Sequence, residues 1–405
     1  MNRRQFLPLL AVGMRPAGSA SGAAGTAVAS DGTLLINGRR VFPLALYQLP
    51  PKASRTASLL AAKDAGFDIA HSAATKEALD ELSTHELNGW CTVGSINPGQ
   101  RDKDRQRIAS IVDRLRSHAA LLYWETEDEP SYQWKKPGVA RVSPEVIRET
   151  YAYLRKLDQA RPVYLNHAPT NLVSTLRAYN PGGDLIATDV YPVIPPGIRE
   201  QYALWPDGRQ GDLLNPYVSQ VGGYADKMRD VAGPQRAVFM VLQAFAWEML
   251  RDIKDRDPKM VLYPTAGQLR FMACQSIVHG ANGLVWWGLS YTPAEAPLWD
   301  NLASVTRLLA TIREQLAAPR RAMPVQIEYR DTGHSLDRGI EWIAKSAGGK
   351  TVLLAVNADP NPVEATLGGL PRGIEVLSGQ QPEWTGTGWR AKFEPFGVSV
   401  WRFLA

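Results

Sequence analysis

The chain has 405 residues, a formal net charge of +5, 45% hydrophobic residues, 12 Trp, 6 His and 2 Cys. That exceeds one average domain and supplies enough apolar material for a large core. No block of like charges supports nucleic-acid binding, no CxxC or metal-spaced His pair supports a metal site, and no stretch past the leader reaches the ~18 apolar residues of a membrane span.

At the N-terminus, Asn2-Arg3-Arg4-Gln5-Phe6-Leu7 has the twin-arginine pattern, and Ala27-Val28-Ala29 offers a small-residue cleavage site. Residues 1–29 are therefore read as an export signal, which predicts a periplasmic or secreted protein. Residues 33–42 read as a hairpin turning at Asn37-Gly38. Eight short apolar runs follow, at 42–46, 67–70, 90–94, 120–124, 162–166, 185–188, 237–242 and 283–287. Amphipathic stretches separate them, such as the one that begins with Ser143 as a cap and Pro144 in the first turn. Eight strands alternating with helices predict the α/β class: a (β/α)8 TIM barrel over residues 30–318. A doubly wound open sheet is the alternative, but no G-x-G-x-x-G follows the first strand.

Two long connections, 193–219 and 247–263, interrupt the rhythm, and loops of that length predict the walls of a cleft. After the break at Ala318-Pro319-Arg320-Arg321 the amphipathic pattern stops. Short apolar runs separated by Gly, Pro and Asn turns predict a C-terminal all-β sandwich domain over 322–405. Cys91 and Cys274 lie on barrel elements and read as small apolar filler rather than a disulfide.

The chemistry concentrates in Trp124-Glu125-Thr126-Glu127-Asp128-Glu129-Pro130, which ends the fourth apolar run. Four acids in five positions are too costly to bury in a core and belong where a strand emerges into a cleft. Asp189 and Tyr191 end the sixth strand, Gln243 the seventh, and Trp286-Trp287 the eighth. Carboxylates beside aromatic platforms suit glycosidic-bond cleavage, which needs a proton donor and a group stabilising an oxocarbenium-like centre. Neighbouring anions also raise each other's pKa values. Glu129 is the candidate acid; Glu127, Asp128 and Asp189 are the other catalytic candidates. Glu125 and Glu127 share a face with Glu129 if the strand stays regular. Tyr47, His167, Tyr191, Gln243, Trp286 and Trp287 are the substrate-binding candidates, alternation sending one indole inward and the other to the helices. His71 reads as a satisfied strand-end histidine.

The run Trp124–Pro130 resembles the W-E-x-x-N-E-P that ends the fourth strand of the clan A (TIM-barrel) glycoside hydrolases, with Asp128 in place of asparagine. Leu35-Ile36-Asn37-Gly38 looks like their entry hairpin, residues 280–287 like their last strand, and the end of the chain like their terminal sandwich. The resemblance implies hydrolysis of an oligo- or polysaccharide with Glu129 as acid/base, a carbohydrate as partner and no cofactor. It breaks at Gln243, where the clan has its nucleophilic glutamate. Three mechanisms stay open: Glu248 or Asp189 as nucleophile or base; attack by a 2-acetamido group of the substrate, with Glu127 or Asp128 stabilising the cation; or a barrel that binds sugar without cleaving it.

Overall fold

The computed structural model describes residues 25–133, 136, 139–196, 215–330 and 333–404. Eight parallel strands close into a barrel: β1 (Leu44–Leu46), β2 (Ile69–Ser72), β3 (Asn88–Thr92), β4 (Leu121–Asp128), β5 (Val163–His167), β6 (Leu185–Val190), β7 (Ala237–Gln243) and β8 (Gly283–Trp287). The helices between them pack outside: α1 (Arg55–Asp64), α2 (Lys76–Thr84), α3 (Arg101–Leu115), α4 (Pro144–Leu157), α5 (Val173–Arg177), α6 (Gln220–Ala232), α7 (Ala266–Val278) and α8 (Leu298–Thr311). Strand alternation divides the apolar residues into two cores. Ala45, Tyr123, Tyr164, Phe239 and Val285 fill the barrel, while Leu46, Trp124, Leu165, Leu242 and Trp286 face the helices. Both cysteines are buried and free. Among the described residues no helix is long and apolar enough to cross a membrane.

The bottom of the barrel is closed by a three-stranded antiparallel sheet of Thr26–Val28, Leu34–Ile36 and Arg39–Val41. Its hairpin turns at Asn37 and Gly38, both at positive φ (50° and 77°), as a tight two-residue turn requires. Leu34 joins the interior core, and Val28 and Ile36 pack beneath it. The first strand contains most of the segment read as a cleavage site, and Thr26 N–H donates to the Ala160 carbonyl across the barrel bottom (3.2 Å). The folded unit thus begins upstream of residue 30. The twin-arginine segment lies outside the described residues.

The C-terminal region is a sandwich of two four-stranded antiparallel sheets. One face shares a core with the barrel helices, since Ile343, Val352, Leu354 and Val400 belong to the same buried cluster. At that seam the His279 ring meets Asp226 (2.8 Å) and Glu341 (2.9 Å). Burial opposes the charge on His279, but its hydrogen bonds to the two carboxylates outweigh it and raise its pKa to about 9.

Two predictions follow from these contacts. Deleting residues 1–29 removes a three-residue strand, so it should destabilise the protein by about 2–3 kcal/mol relative to deleting 1–24, at about 1 kcal/mol per hydrogen bond; urea unfolding of the two truncations measures the difference. For His279 the folded pKa lies above the unfolded value, so its stabilisation is complete below the unfolded pKa of about 6.5 and is lost as pH rises through about 9. The stability gap between wild type and His279→Gln should be largest near pH 6 and vanish near pH 10.

Candidate active site

β4 does not stay regular. Glu125 pairs with Tyr164 and Asp128 with Asn166, so three steps along β4 match two along β5. This bulge inserts one residue and reverses the alternation. Glu125 points into the barrel, and Asp128 rather than Glu127 comes round to the cleft. Glu127 is instead drawn to Ser95 Oγ (2.7 Å) and the Arg141 guanidinium (2.8 Å). Glu129 follows at φ 45°, the left-handed region, which is strained for a non-glycine residue. Its N–H donates to the Asn166 carbonyl (3.1 Å) and its own carbonyl accepts from Tyr132 (3.1 Å), which holds the turn.

Three acids therefore meet at the cleft floor: Asp128 and Glu129 from β4 and Asp189 from β6. Asn166 on β5 stands between them and donates to Asp128 (2.9 Å) and to Asp189 (2.6 Å). Burial, then the charges of Glu129 and Asp128, push the Asp189 carboxyl well above the usual range, and Tyr191 and Asn166 only partly oppose this. Burial and the Asp128 charge raise Glu129 to about 7, against the pull of Arg141 and a hydrogen bond from Asp189. Burial also raises Asp128, partly offset by Asn166 and Arg141. Glu129 and Asp189 are thus hydrogen-bonded to each other, each pushed up by burial and by neighbouring charge, and the pair titrates as a unit.

The cleft above has a volume of about 990 Å³. An aromatic cluster also lines it. Trp287 lies nearly parallel to Tyr191 with ring centroids 5.6 Å apart, and Phe245 meets both edge-on (5.0 and 5.2 Å). Gly288 makes this packing fit: it sits at φ 109°, and a Cβ there would come within 2.5 Å of the Phe245 ring. The connection after β7 forms short turns and lines the cleft with Trp247, Leu250 and Met260. Of the connection after β6, Pro196 reaches the cleft, and residues 197–214 lie outside the described residues.

The other candidates are placed differently. Gln243 is fully buried and does not line the cleft. Its oxygen accepts from Val193 N–H (2.8 Å), and its amide donates to the carbonyls of Val193 (2.9 Å) and Phe245 (3.0 Å). It is a clamp between two loops. His167 falls on the outward phase of β5 and packs edge-on against Tyr179 (6.0 Å); burial lowers its pKa to about 3. Trp286 faces outward against Phe67 (5.6 Å). Trp287, Tyr191 and Tyr47 do line the cleft. Glu248 borders it too, but the residue is fully buried, and one oxygen is held by Arg251 (3.2 Å) and Asp257 N–H (2.6 Å). Sequence reasoning missed Asn166, Phe245 and Trp247. The inward phase of Tyr164 on β5 is the signal that finds Asn166, two residues on.

No protein-family model matches the chain, and no match was found among curated protein sequences. Solved structures do match. One described as a glycoside hydrolase is 12% identical, with a TM-score of 0.60 over 95% of this chain and 97% of that one. A family 5 glycoside hydrolase from Bacteroides vulgatus is 12% identical, with a TM-score of 0.59 over 95% and 93%. A GH30 endoxylanase from Clostridium papyrosolvens is 11% identical, with a TM-score of 0.50 over 90% and 96%. The fold is that of the TIM-barrel glycoside hydrolases. At such identities the likeness establishes architecture, and the site must carry the chemistry.

Gln243→Glu tests the clamp. It would set a carboxylate against two carbonyl oxygens in a buried position, which should destabilise the protein by about 3 kcal/mol. It should not create a nucleophile: intact-mass analysis after treatment with a mechanism-based fluoro-sugar should show no label at residue 243.

Proposed function

We propose that the chain is a glycoside hydrolase with Glu129 as its general acid. The observation that carries this reading is the hydrogen-bonded Glu129–Asp189 pair at the floor of an aromatic cleft, with both carboxyls pushed up by burial and by neighbouring charge. As the glycosidic C–O bond breaks, the Glu129 proton passes to the leaving oxygen, and Asp189 supports the new carboxylate with its own hydrogen bond. The positive charge growing at the anomeric carbon faces Asp128, which Asn166 orients. Trp287 and Tyr191 supply flat faces for a sugar ring.

The source of the attacking group is a second question, and one observation favours substrate assistance. Two carboxyls that work across a glycosidic bond stand ~5–5.5 Å apart for retention or ~6.5–9.5 Å for inversion. Glu129 and Asp189 instead touch and lie on one side. On the other side the Gln243 amide is occupied by backbone, and Glu248, buried at the cleft border, has one oxygen held by Arg251 and the Asp257 N–H. Attack by a 2-acetamido oxygen of the substrate, with Asp128 facing the cyclic cation, needs no protein nucleophile.

Glu129→Gln should reduce kcat on substrates with poor leaving groups by ~10²–10⁴-fold and affect activated aryl glycosides far less. Because Glu129 must be protonated, kcat/KM should fall as pH rises through about 7. Asp128→Asn removes an anion that raises Glu129, so that limb should move to lower pH. An unchanged limb in Glu129→Gln would refute the assignment. An oligosaccharide that binds but stays intact on prolonged incubation would make the protein a carbohydrate-binding barrel instead.

A further inference from the structure

Beneath the catalytic floor lies a second polar cluster that the proposed chemistry does not use. Glu125 is buried inside the barrel and accepts from three directions: Tyr47 hydroxyl (3.0 Å), Trp90 Nε1–H (3.0 Å) and Thr92 hydroxyl (2.8 Å). Each of the surrounding protons can be placed. Indole has only a donor, so Trp90 must donate to Glu125. Thr92 Oγ1 also meets His71 Nε2 at 2.9 Å. Burial lowers the pKa of His71 to about 4, so the ring is neutral; its Nε2–H donates to Thr92, whose own proton goes on to Glu125. On the other side Tyr47 has one proton and two neighbours, Glu125 and the buried Tyr164 hydroxyl (3.3 Å). Tyr164 is an acceptor in that contact, so Glu125 at 3.0 Å and Tyr164 at 3.3 Å compete for the single Tyr47 proton. The carboxylate takes the Tyr47 proton because it is the stronger acceptor. Tyr47, Trp90 and Thr92 thus all donate to Glu125.

Tyr47 lines the cleft, so the direction of this chain reaches the substrate. We infer that Glu125 is a positioning residue that fixes the hydrogen-bond direction of Tyr47, leaving its oxygen free to accept and with no proton to offer. Tyr47 then accepts from a substrate donor, a sugar hydroxyl or an amide N–H, and discriminates against an ether or carbonyl oxygen at the same place. This makes Tyr47 and Glu125 a specificity device for the site, and it rests on the glycosidase reading only for the identity of the ligand. It operates with Glu125 ionised. Burial and the Asp128 charge push this carboxyl up to about 7, so it is tested about one and a half units higher.

Two measurements near pH 8.5 decide it. The first needs no ligand. In protein carrying ¹³Cζ-tyrosine, the Tyr47 resonance is assigned by its loss in Tyr47→Phe. Glu125→Gln can turn an N–H toward Tyr47, and the resonance should shift; an unmoved signal overturns the proposal. The second measures sugar affinity by calorimetry in a Glu129→Gln background, which keeps the sugar intact. Tyr47→Phe and Glu125→Gln should each weaken binding by about tenfold, and the double substitution by no more than either alone, because both remove one interaction. Additive losses, or a loss in Tyr47→Phe with none in Glu125→Gln, would assign Glu125 a purely structural role. If wild type binds and cleaves no glycoside, the glycosidase reading falls, and the tyrosine resonance still decides the hydrogen-bond direction.

Discussion

The structure depends on one constraint: four carboxyl groups, Glu125, Asp128, Glu129 and Asp189, share one low-dielectric end of a barrel. Ionising them all would set like charges against each other without water to screen them. The fold answers in two ways. It supplies fixed donors, with Trp90, Thr92 and Tyr47 on Glu125 and Asn166 on Asp128 and Asp189. It also favours retained protons, with Asp189 pushed well above the usual carboxylate range and Glu129 raised to about 7. The same crowding that makes the site hard to build gives it an acid at neutral pH.

Backbone irregularity provides the placement. A regular β4 would put Glu125, Glu127 and Glu129 on one face, stacked along the strand. The bulge after Glu125 separates them by depth: Glu125 stays inside, Glu127 leaves for Ser95 and Arg141, and Asp128 faces the cleft. The left-handed turn at Glu129 then aims its carboxyl sideways toward β6. The strain of that turn is set by rigid neighbours, because both of its backbone hydrogen bonds end on residues anchored in β5 and the following loop.

The architecture was legible in the sequence because hydrophobic period and turn chemistry are local. Eight apolar runs separated by amphipathic stretches are the barrel, and Asn37-Gly38 is the hairpin. So was the emergence of acids at the end of β4. The depth of each acid was not, since a bulge is a relation between two strands and β4 alone does not show where β5 skips. Gln243 illustrates the same limit. It lies in phase with inward Val241, so a place on the rim was the natural reading. Its partners, the backbone of Val193 and Phe245, belong to loops whose approach no periodicity encodes. The start of the folded unit was hidden for another reason: Ala27-Val28-Ala29 suits a signal peptidase and an edge strand equally well.

The clamp at Gln243 and the acid cluster are two sides of one arrangement. Negative charge is concentrated on the β4–β6 wall, while the β7–β8 wall is made of rings. A glutamate at residue 243 would need donors of its own, but the local groups that face it include two carbonyl oxygens. Those carbonyls favour an amide, and the amide in turn fixes the loop that carries Phe245 and Trp247 into the cleft. Under the proposed function, a positive charge developing on a sugar between the walls would therefore be stabilised from one side only. In the proposed mechanism that leaves the opposite face of the ring to a group the substrate brings itself.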